Sequence, residues 1–458
     1  MEQSLKKSGL STMQILALGF LGTILLGGVL LSLPICNNGP ITFLDALFNS
    51  TSAVCVTGLV TVTPATQFTI LGKIILLILI QIGGLGIIAC MIGFFVILHK
   101  RITVRERIMI QETYNMEGIS GMIAFVLRIL KGTLMIEMIG AILYAFQFVP
   151  EFGWKKGLYY SVFHAVSAFC NAGIDILGAS SFAPYVTNPL INFTTMFLII
   201  MGGLGFIVWY DVAANCKMVI KKKQSPKRLF TKLRLHSTLT IVMTVLLIVV
   251  GTVFVFVLEY NNPDTIGNMS IGNKIMAAAF HSVSTRTAGF ATISQSGLQP
   301  GTKFLTAIWM FIGGSPGGTA GGVKTTTIAM LLLTCANVIF GKRDTECFGR
   351  RIPESNFRTG FSVVVVAFLF LLTGLTLLTV FEPEMDFLSL LYESVSAIGT
   401  VGLTADVTSY LSSASKIVIM CLMYIGRLGP VTLALIFGTR DNMKERIRKL
   451  PEQRILVG

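Results

Sequence analysis

Charged residues are scarce in this chain of 458 residues, because Asp, Glu, Lys and Arg together make up 13% of the sequence. Soluble domains carry about 25% charge, so this scarcity excludes an ordinary soluble protein. A membrane-spanning helix needs about 20 mostly apolar residues, and eight stretches have that character. They lie near 13–34, 69–98, 119–148, 188–212, 237–258, 302–340, 359–381 and 409–438. The sequence therefore predicts an all-α integral membrane protein with eight transmembrane helices.

Basic residues are absent from the segments 35–68 and 382–408. They concentrate instead near the N-terminus and in 100–107, 217–234, 342–358 and 440–454. Cytoplasmic loops carry the excess of Lys and Arg in membrane proteins, so both termini are predicted to be cytoplasmic. The formal net charge of +14 then reflects topology and contact with anionic lipid, as in the run Lys221-Lys222-Lys223. No nucleic-acid partner is expected.

Patterns of catalysis and metal binding are missing as well. The eight cysteines show neither a metal-like spacing nor a disulfide framework, and the four histidines form no ligand pattern. A membrane-embedded enzyme would need clustered nucleophiles, carboxylates or metal ligands, so the chain is predicted not to be an enzyme. It also lacks a phosphate-binding loop, so it is not expected to bind nucleotide itself.

A short polar motif that ends in glycine occurs four times, each time between two apolar stretches. The copies are Val56-Thr57-Gly58-Leu59, Asn171-Ala172-Gly173-Ile174, Thr287-Ala288-Gly289-Phe290 and Thr400-Val401-Gly402-Leu403. Each resembles a degenerate form of the potassium-channel sequence Thr-Val-Gly-Tyr, whose backbone carbonyl groups replace the hydration shell of the ion. The first three residues of each copy are therefore predicted to bind K⁺ as a selectivity filter.

The segments that precede the four motifs are too short to cross a bilayer. They run over 43–55, 158–170, 274–286 and 387–399. Such segments enter the membrane as re-entrant helices and return as strands, which is tolerated only along a water-filled path or inside protein. The chain is thus predicted to contain four helix–pore loop–helix units with four re-entrant pore helices, in a pseudo-fourfold arrangement around one pore. The predicted units span 10–100, 118–215, 235–342 and 355–440, and a cytoplasmic tail spans 441–458.

Polar residues recur at fixed places around the motifs. Phe48-Asn49, Phe163-His164, Phe280-His281 and Tyr392-Glu393 share one register and are followed by Ser52, Ser167, Ser284 and Ser396. His164 and His281 are open to two interpretations, a proton sensor or a buried hydrogen bond that braces the filter. Four acidic residues lie near the predicted outer mouth, where they would attract cations or cap helices: Asp45, Asp175, Asp386 and Asp406.

Glycine also repeats in the helix that follows each motif. Close helix packing explains Gly83, Gly202 and Gly426. The third unit differs, because residues 313–327 read GGSPGGTAGGVKTTT and cannot form a continuous helix. This helix is predicted to break within the bilayer. The residues concerned are Gly313, Gly314, Ser315, Pro316, Gly317, Gly318, Thr319, Ala320, Gly321, Gly322 and Lys324.

A charged residue inside an apolar segment needs a partner or a function. Arg427 replaces the second glycine of the motif repeated in these helices. It is predicted to lie beside the pathway below the filter as a barrier to cations, or else to pair with Glu393 or with helix-end carbonyl groups. Lys324 is predicted either to reach the cytoplasmic cavity or to bind carbonyl groups of its own loop.

The remaining charged residues of the apolar segments are given ordinary roles. Lys73 and Lys416 stand near helix ends and are expected to extend toward the membrane surface. Arg128, Lys131 and Glu137 share one helix and are predicted to form a structural or cytoplasm-facing set.

Together these features resemble the ion-translocating subunit of the Trk/Ktr/HKT superfamily of potassium transporters, over residues from about 12 to 440. The resemblance rests on the four non-identical filter motifs, the GGSPGGTAGG stretch and Arg427 in the last helix. The length of the chain and the lack of extra N-terminal helices are most similar to the bacterial Ktr type.

The resemblance implies a function and roles for named residues. The protein would take up K⁺ across the bacterial plasma membrane, with Na⁺ as a second ion because Ktr-type transport is often Na⁺-dependent. Gly58 implies a preference for K⁺, since family members with serine at this place tend to favour Na⁺. Residues 313–327 would be an intramembrane gating loop, and Arg427 would belong to the barrier.

Partners also follow from the resemblance. Ktr-type subunits form homodimers with one pore per protomer, on a cytoplasmic ring of nucleotide-binding RCK regulatory subunits. ATP and ADP bind that ring rather than this chain, and the basic loops and residues 444–454 would contact it. The alternative function that stays open is a sodium or weakly selective cation channel or transporter.

Overall fold

The computed structural model describes residues 11–429, except 101, 104–105, 110, 112–120, 179, 222–231 and 343. The predicted tail at 441–458, the predicted contact residues 444–454 and the last part of the predicted fourth unit lie outside the described residues. The same holds for Lys222 and Lys223 of the predicted lipid-contacting run.

Helices make up most of the described chain. In order they are α1 (Thr12–Ser32), α2 (Phe43–Cys55), α3 (Pro64–Gln67), α4 (Ile70–Leu85), α5 (Ile87–Ile97), α6 (Met122–Phe152), α7 (Trp154–Cys170), α8 (Pro189–Gly203), α9 (Phe206–Lys221), α10 (Leu235–Glu259), α11 (Ile271–Ser284), α12 (Pro300–Phe311), α13 (Thr325–Ile339), α14 (Glu354–Phe381), α15 (Phe387–Gly399) and α16 (Ser413–Leu428). Short 3₁₀-helices lie at Pro34–Cys36, Ala183–Tyr185 and Thr408–Tyr410. An antiparallel hairpin of β1 (Glu346–Cys347) and β2 (Arg350–Arg351), in which Glu346 pairs with Arg351, is an addition to the predicted all-α class.

Three described helices, α1, α10 and α14, are long and apolar enough to cross a bilayer. Two further pairs pass the same test together although they are bent, α4–α5 by 104° and α8–α9 by 99°. Large apolar side chains such as Leu26, Val257 and Phe368 are exposed on the three straight helices, as expected of surfaces that face lipid. The prediction of a helical membrane protein is confirmed, whereas the count of eight transmembrane helices stays a prediction.

The four short helices that precede the motifs are α2, α7, α11 and α15. The first and last have the predicted bounds, because Thr42 and Asp386 cap them by accepting backbone N–H groups of Asp45 and Ser389, both at 3.1 Å. α7 and α11 begin earlier than predicted, and α11 ends at Ser284 rather than at residue 286. The chain order of long helix, short helix and motif is otherwise as predicted.

Each short helix packs against the helix before it and against one from another predicted unit. The pairs within a unit are α1–α2, α6–α7, α10–α11 and α14–α15. The pairs between units are α4–α7, α8–α11, α12–α15 and α16–α2. Since the last pair joins the end of the described chain to its beginning, the contacts between consecutive units close into a cycle.

The helices that follow the motifs are interrupted in more places than predicted. α4 ends at Leu85 and α5 begins after Gly86, α8 gives way to α9 across Gly205, and Gly429 caps α16 at the end of the described range. The φ angles of these glycines are 84°, 91° and 86°, a backbone region that other residues adopt only at a cost. The sequence predicts the break in the third unit but gives no sign of the breaks at Gly86 and Gly205.

The predicted break in the third unit is present and spans residues 312–324, between α12 and α13. The helix resumes at Thr325, slightly earlier than predicted. The broken segment folds back on itself, because the Gly313 amide donates a hydrogen bond to the Val323 carbonyl at 2.8 Å. The close packing predicted for Gly83, Gly202 and Gly426 is also present, since a β-carbon on any of them would overlap a carbonyl group at the end of a short helix.

Lys416 and Asp45 form an ion pair that the sequence-based predictions for the two residues did not include. Lys416 Nζ lies 2.8 Å from Asp45 Oδ1, and the side chains are only 15% and 14% exposed. Lys416 and Asp45 therefore neutralise each other. Lys73, the other lysine expected to extend toward the membrane surface, donates to the Ala65 carbonyl at 2.6 Å. The ion pair joins α16 to α2, where the cycle of helix contacts closes.

We expect the ion pair to stabilise this closing contact. Lys416→Met would leave a largely buried carboxylate without its cation, which costs more than the loss of an exposed pair, about 1 kcal/mol. The purified variant should therefore melt at a clearly lower temperature than the wild type. The charge reversal Asp45→Lys with Lys416→Asp should recover most of the loss. An equal loss in Lys155→Met, which changes an exposed lysine at the start of α7, would contradict this role.

Glu137 stands apart from the two basic residues of its helix, so the prediction of one set is wrong. Its carboxylate is buried and accepts hydrogen bonds from Gln81 Nε2 at 3.1 and 3.3 Å. Arg128 and Lys131 are exposed on α6, and the Arg128 guanidinium lies 5.8 Å from the centre of the Tyr210 ring. Glu137 thus links α6 to α4 within the core.

Candidate ion-binding site

All four motifs begin with a residue in the left-handed region of the backbone. These residues are Val56, Asn171, Thr287 and Thr400, with φ angles of 56°, 61°, 68° and 51°. In the first copy, hydrogen bonds from Val56 N to Ala53 O and from Thr57 N to Ser52 O, at 3.2 and 2.8 Å, close the end of the helix. A left-handed residue therefore stands at the first position of every copy, although the third short helix already ends at Ser284.

The motif glycines face carbonyl groups of one another's motifs in a closed order. The glycine–carbonyl pairs are Gly58–Ala172, Gly173–Ala288, Gly289–Val401 and Gly402–Thr57. In the first three pairs, a β-carbon on the glycine would stand 2.6 Å from the carbonyl oxygen, and in the fourth it would overlap it. Each motif thus contacts the next, and the fourth returns to the first. The structure brings all four predicted filter glycines together.

A serine of each short helix fastens the motif that follows it. In the first and fourth copies, Ser52 Oγ and Ser396 Oγ accept hydrogen bonds from the amides of Gly58 and Gly402, at 2.9 and 3.0 Å. In the second and third copies, the serine donates instead to the carbonyl group after the glycine, from Ser167 to Ile174 and from Ser284 to Phe290. The third serine keeps this role, although the stretch from the aromatic residue to the motif glycine is one residue shorter in the third copy than in the others.

The polar residue of the shared register braces the chain beyond the glycine in three units. Asn49 Nδ2 donates to Thr61 Oγ1 at 3.3 Å, and His164 Nε2 accepts from the Ile176 amide at 3.4 Å. The Glu393 carboxylate accepts from the hydroxyl groups of Thr404 and Thr408. Glu393 therefore has hydroxyl partners at this site rather than the predicted alternative partner Arg427.

The third unit uses its polar residue differently. His281 Nε2 lies 3.1 Å from Thr306 Oγ1 of α12, not near the chain beyond Gly289. His281 and His164 are both buried and both have a hydrogen-bond partner. Of the two interpretations given above, the buried hydrogen bond is thus the one that these contacts support.

A cavity of about 390 Å³ adjoins the glycines and is lined by all four of them. Asp175 and Asp406 also line it, and no lysine or arginine of the described residues does. Asp45 and Asp386 lie outside this lining, because they pair with Lys416 and cap α15. Two of the four predicted acidic residues are therefore placed where they would attract a cation to the glycines.

Asp175 should make uptake at low external K⁺ depend on pH. Burial raises the pKa of its carboxyl to about 6, although hydrogen bonds from the amides of Gly178 and Leu177 act in the opposite direction. The group is therefore charged at neutral pH and uncharged in acid. Since a negative charge at the cavity raises the local cation concentration, we expect uptake to fall as the external pH drops through about 6.

Uptake from limiting K⁺ at a series of external pH values tests this expectation. Asp175→Asn should start from a lower rate and lose the pH dependence. Asp386→Asn is a matched control, because asparagine also caps a helix and the residue does not line the cavity. A wild-type rate that stays flat across this pH range would contradict the assignment.

A second cavity, of about 310 Å³, shares no lining residue with the first. Its wall includes Gly86 at the first helix break, Gly317 and Gly318 of the broken segment, and the cations Lys324 and Arg427. Within the part of the chain that the structure describes, no aspartate or glutamate belongs to this wall. A cation that enters the cavity therefore meets positive charge.

The broken segment 312–324 is held against the end of the second short helix. Thr319 N donates to the Gly202 carbonyl and Thr319 Oγ1 to the Phe169 carbonyl, both at 3.1 Å. On the other side, a β-carbon on Gly321 would overlap the side chain of Thr400 in the fourth motif. The segment thus contacts the second short helix near its end and the first residue of the fourth motif.

Arg427 and Lys324 both hold carbonyl groups. Arg427 donates to the carbonyl groups of Thr319, Gly83 and Gly84, which is the carbonyl alternative of the prediction. Lys324 Nζ donates to the carbonyl groups of Ala320 and Gly321 at 2.7 and 3.3 Å, and it also lines the second cavity. The two cations therefore bind three consecutive carbonyl groups of the broken segment.

Two buried polar groups behind the motifs have no role in the sequence-based predictions. Arg286, which is 4% exposed, donates to Thr244 Oγ1 at 3.2 Å. Cys170 Sγ, directly before the second motif, lies 3.5 Å from Gln81 Oε1. The cost of a charge in an apolar surrounding could have singled out Arg286. The contact between Gln81 and Cys170 has no local signal, because the residues are far apart in the sequence.

Three comparisons with known proteins bear on this site. The profile of a protein family described as "TrkH: Cation transport protein" matches residues 18–446. Ktr system potassium uptake protein B of Bacillus subtilis is 38% identical over 97% of this chain and 96% of its own length. Potassium/sodium uptake protein NtpJ of Enterococcus hirae is 39% identical over 98% of each chain. The crystal structure of the potassium transporter TrkH from Vibrio parahaemolyticus has a TM-score of 0.75 at 18% identity and covers 96% of this chain and 87% of that one.

Proposed function

Because the chain belongs to the TrkH family of cation transport proteins, we propose that it takes up K⁺ through a selectivity filter made of its four motifs. Membership of a transport family confirms that the chain is not an enzyme. The proposed filter residues are the twelve predicted from the sequence, from Val56 to Gly402. The names of relatives such as potassium uptake protein B support K⁺ as the ion.

The observation that carries this proposal is the closed order of glycine–carbonyl contacts. Four carbonyl groups, those of Thr57, Ala172, Ala288 and Val401, each lie against the glycine of the neighbouring motif. A ring of backbone carbonyl oxygens replaces the water shell of K⁺. The C-terminal ends of the four short helices adjoin the motifs, and their partial negative charges favour a cation.

The proposed architecture has eight transmembrane helices in four units around one pore, with the units at 10–100, 118–215, 235–342 and 355–440. The cycle of helix contacts supports this arrangement, because each unit packs on the next. Both termini would be cytoplasmic in the bacterial plasma membrane, with the cavity that contains Asp175 outside and the cavity that contains Arg427 inside.

The broken segment would be the gate. It lies against the end of the second short helix and against the fourth motif, and Arg427 and Lys324 hold it there. Two positive charges on the wall of the inner cavity raise the barrier to a cation that leaves the filter. Flow of K⁺ would require this segment to move away from the motifs.

The proposed partners are a second copy of the chain and a cytoplasmic ring of nucleotide-binding RCK subunits. Support for this comes from the relatives named as Ktr system proteins and from the resemblance of the sequence to the Ktr type. ATP and ADP would bind the ring and not this chain. Na⁺ is a second candidate ion, because one relative is named a potassium/sodium uptake protein.

Tracer flux tests the proposal. The purified protein in liposomes should take up radioactive K⁺ or Rb⁺, and excess K⁺ should compete far better than excess Na⁺. Addition of an RCK partner with ATP or ADP should change the rate. Flux no greater than in empty liposomes would refute the function, and equal competition by Na⁺ would favour the weakly selective alternative.

A further inference from the structure

In three units, the polar residue of the short helix forms a hydrogen bond to the chain beyond the motif glycine, and this bond is the brace of that motif. The third unit differs. Asn49 contacts Thr61 and His164 contacts Ile176, each the third residue after its motif glycine. Glu393 contacts Thr404, at nearly the same place in the fourth unit. The corresponding residue of the third unit is Thr292, the third residue after Gly289.

Thr292 lacks the brace that its position predicts. Its side chain is 3% exposed, and its hydroxyl has no hydrogen-bond partner among the described residues. His281 has the same position in its short helix as Asn49, His164 and Glu393, so it is the residue expected to bond to Thr292. Its imidazole is hydrogen-bonded to Thr306 instead. A buried hydroxyl without a partner is costly, so an arrangement that supplies one would relieve this cost.

Thr306 belongs to the element that leads into the broken segment. α12 has 12 residues, and the segment 312–324 begins directly after it. The segment is bonded to the second unit through Thr319 and to the fourth through Arg427. A displacement of α12 would therefore move the hydrogen-bond partner of His281 together with the segment.

We propose that His281 is a positioning residue that exchanges its hydrogen bond between Thr306 and Thr292 as α12 moves. The inference rests on the proposed function, since it links the filter to the gate. In the arrangement seen here, His281 ties the third short helix to α12, and the Thr292 hydroxyl beyond the third motif has no hydrogen-bond partner among the described residues. After the exchange, the short helix of every unit is hydrogen-bonded to the chain beyond its motif glycine, and α12 is no longer bonded to His281. The broken segment can then move away from the filter while all four of these hydrogen bonds are in place.

Two substitutions that each remove one hydroxyl should act in opposite directions. Thr306→Val removes the present partner and should raise the K⁺ uptake rate, because it favours the exchanged arrangement. Thr292→Val removes the other partner and should lower the rate. Each change should be about fivefold, the population shift that one lost hydrogen bond produces. Rates are measured as tracer flux in liposomes at equal protein amounts.

Thr302→Val is the matched control. Thr302 is buried one turn before Thr306 on the same helix, and its hydroxyl has no partner among the described residues. This variant should transport like the wild type, and Thr306→Ser, which keeps the hydroxyl, should do the same. In a His281→Ala background, Thr306→Val and Thr292→Val should no longer change the rate in opposite directions.

The inference is overturned if Thr306→Val and Thr292→Val change the K⁺ uptake rate in the same direction. It is also overturned if both variants transport at the same rate as Thr302→Val. Such results leave the filter itself intact, whereas a wild type without K⁺ flux overturns the proposed function instead. If Thr306→Val does not reach the membrane, Thr306→Ala also lacks the hydroxyl and replaces it.

Discussion

Gly58→Ser is expected to lower the preference for K⁺ over Na⁺ by about tenfold, which corresponds to about 1.4 kcal/mol. Gly58 has a φ angle of 102°, and a non-glycine residue held in such a region costs about 1–3 kcal/mol. A β-carbon would also stand 2.6 Å from the Ala172 carbonyl oxygen and 3.2 Å from the α-carbons of Gly173 and Gly402. The carbonyl group must move, and its distance from the ion changes with it.

The ratio of Rb⁺ to Na⁺ flux in liposomes measures this effect, and total flux should persist. Gly39→Ser is the matched control, because Gly39 is exposed and its β-carbon would have no neighbour within 4 Å. If Gly58→Ser and Gly289→Ser both kept the wild-type preference, the motifs would not be the filter.

Arg427→Ala is expected to raise K⁺ flux by about tenfold or more. Hydrogen bonds from a charged donor contribute about 1.5–3 kcal/mol each, and Arg427 makes one to Thr319 in the broken segment and others to Gly83 and Gly84. The substitution therefore loosens the segment and also removes a positive charge from the inner cavity. Flux without an RCK partner is the measurement.

Two further variants separate the charge of Arg427 from its contacts. Arg427→Lys keeps the charge but not the planar fork that reaches several acceptors, so its flux should lie between those of the wild type and Arg427→Ala. Deletion of most of 313–327 should raise flux with Arg427 in place. A fall in flux in Arg427→Ala would mean that the residue only supports the structure.

Local sequence patterns predict the parts of this fold that depend on neighbours in the chain. The bounds of α2 and α15 follow from a capping residue at the start and a glycine motif after the end. Gly86 and Gly205 show the limit of such reasoning. A glycine at a helix break and a glycine at a packing contact look alike in an apolar run, and only the φ angle tells them apart.

Contacts between distant parts of the chain lie beyond local patterns. The pair of Asp45 and Lys416 joins the first unit to the fourth, and the contact of Gln81 with Glu137 joins the first to the second. In each case, the local sequence shows a polar residue in or near an apolar segment, but it does not identify the residue that it contacts. The convergence of the four motif glycines could be predicted because four copies of one motif imply a common axis, which is a property of the repeat and not of any single copy. Their role as a filter stays a prediction.

The position of a bound ion tests the central claim most directly. Crystals grown with Rb⁺ in place of K⁺ should give anomalous difference density on the axis surrounded by the carbonyl oxygens of Thr57, Ala172, Ala288 and Val401. Density elsewhere in the protein with none at this ring, or carbonyl groups that face away from the axis, would contradict the account.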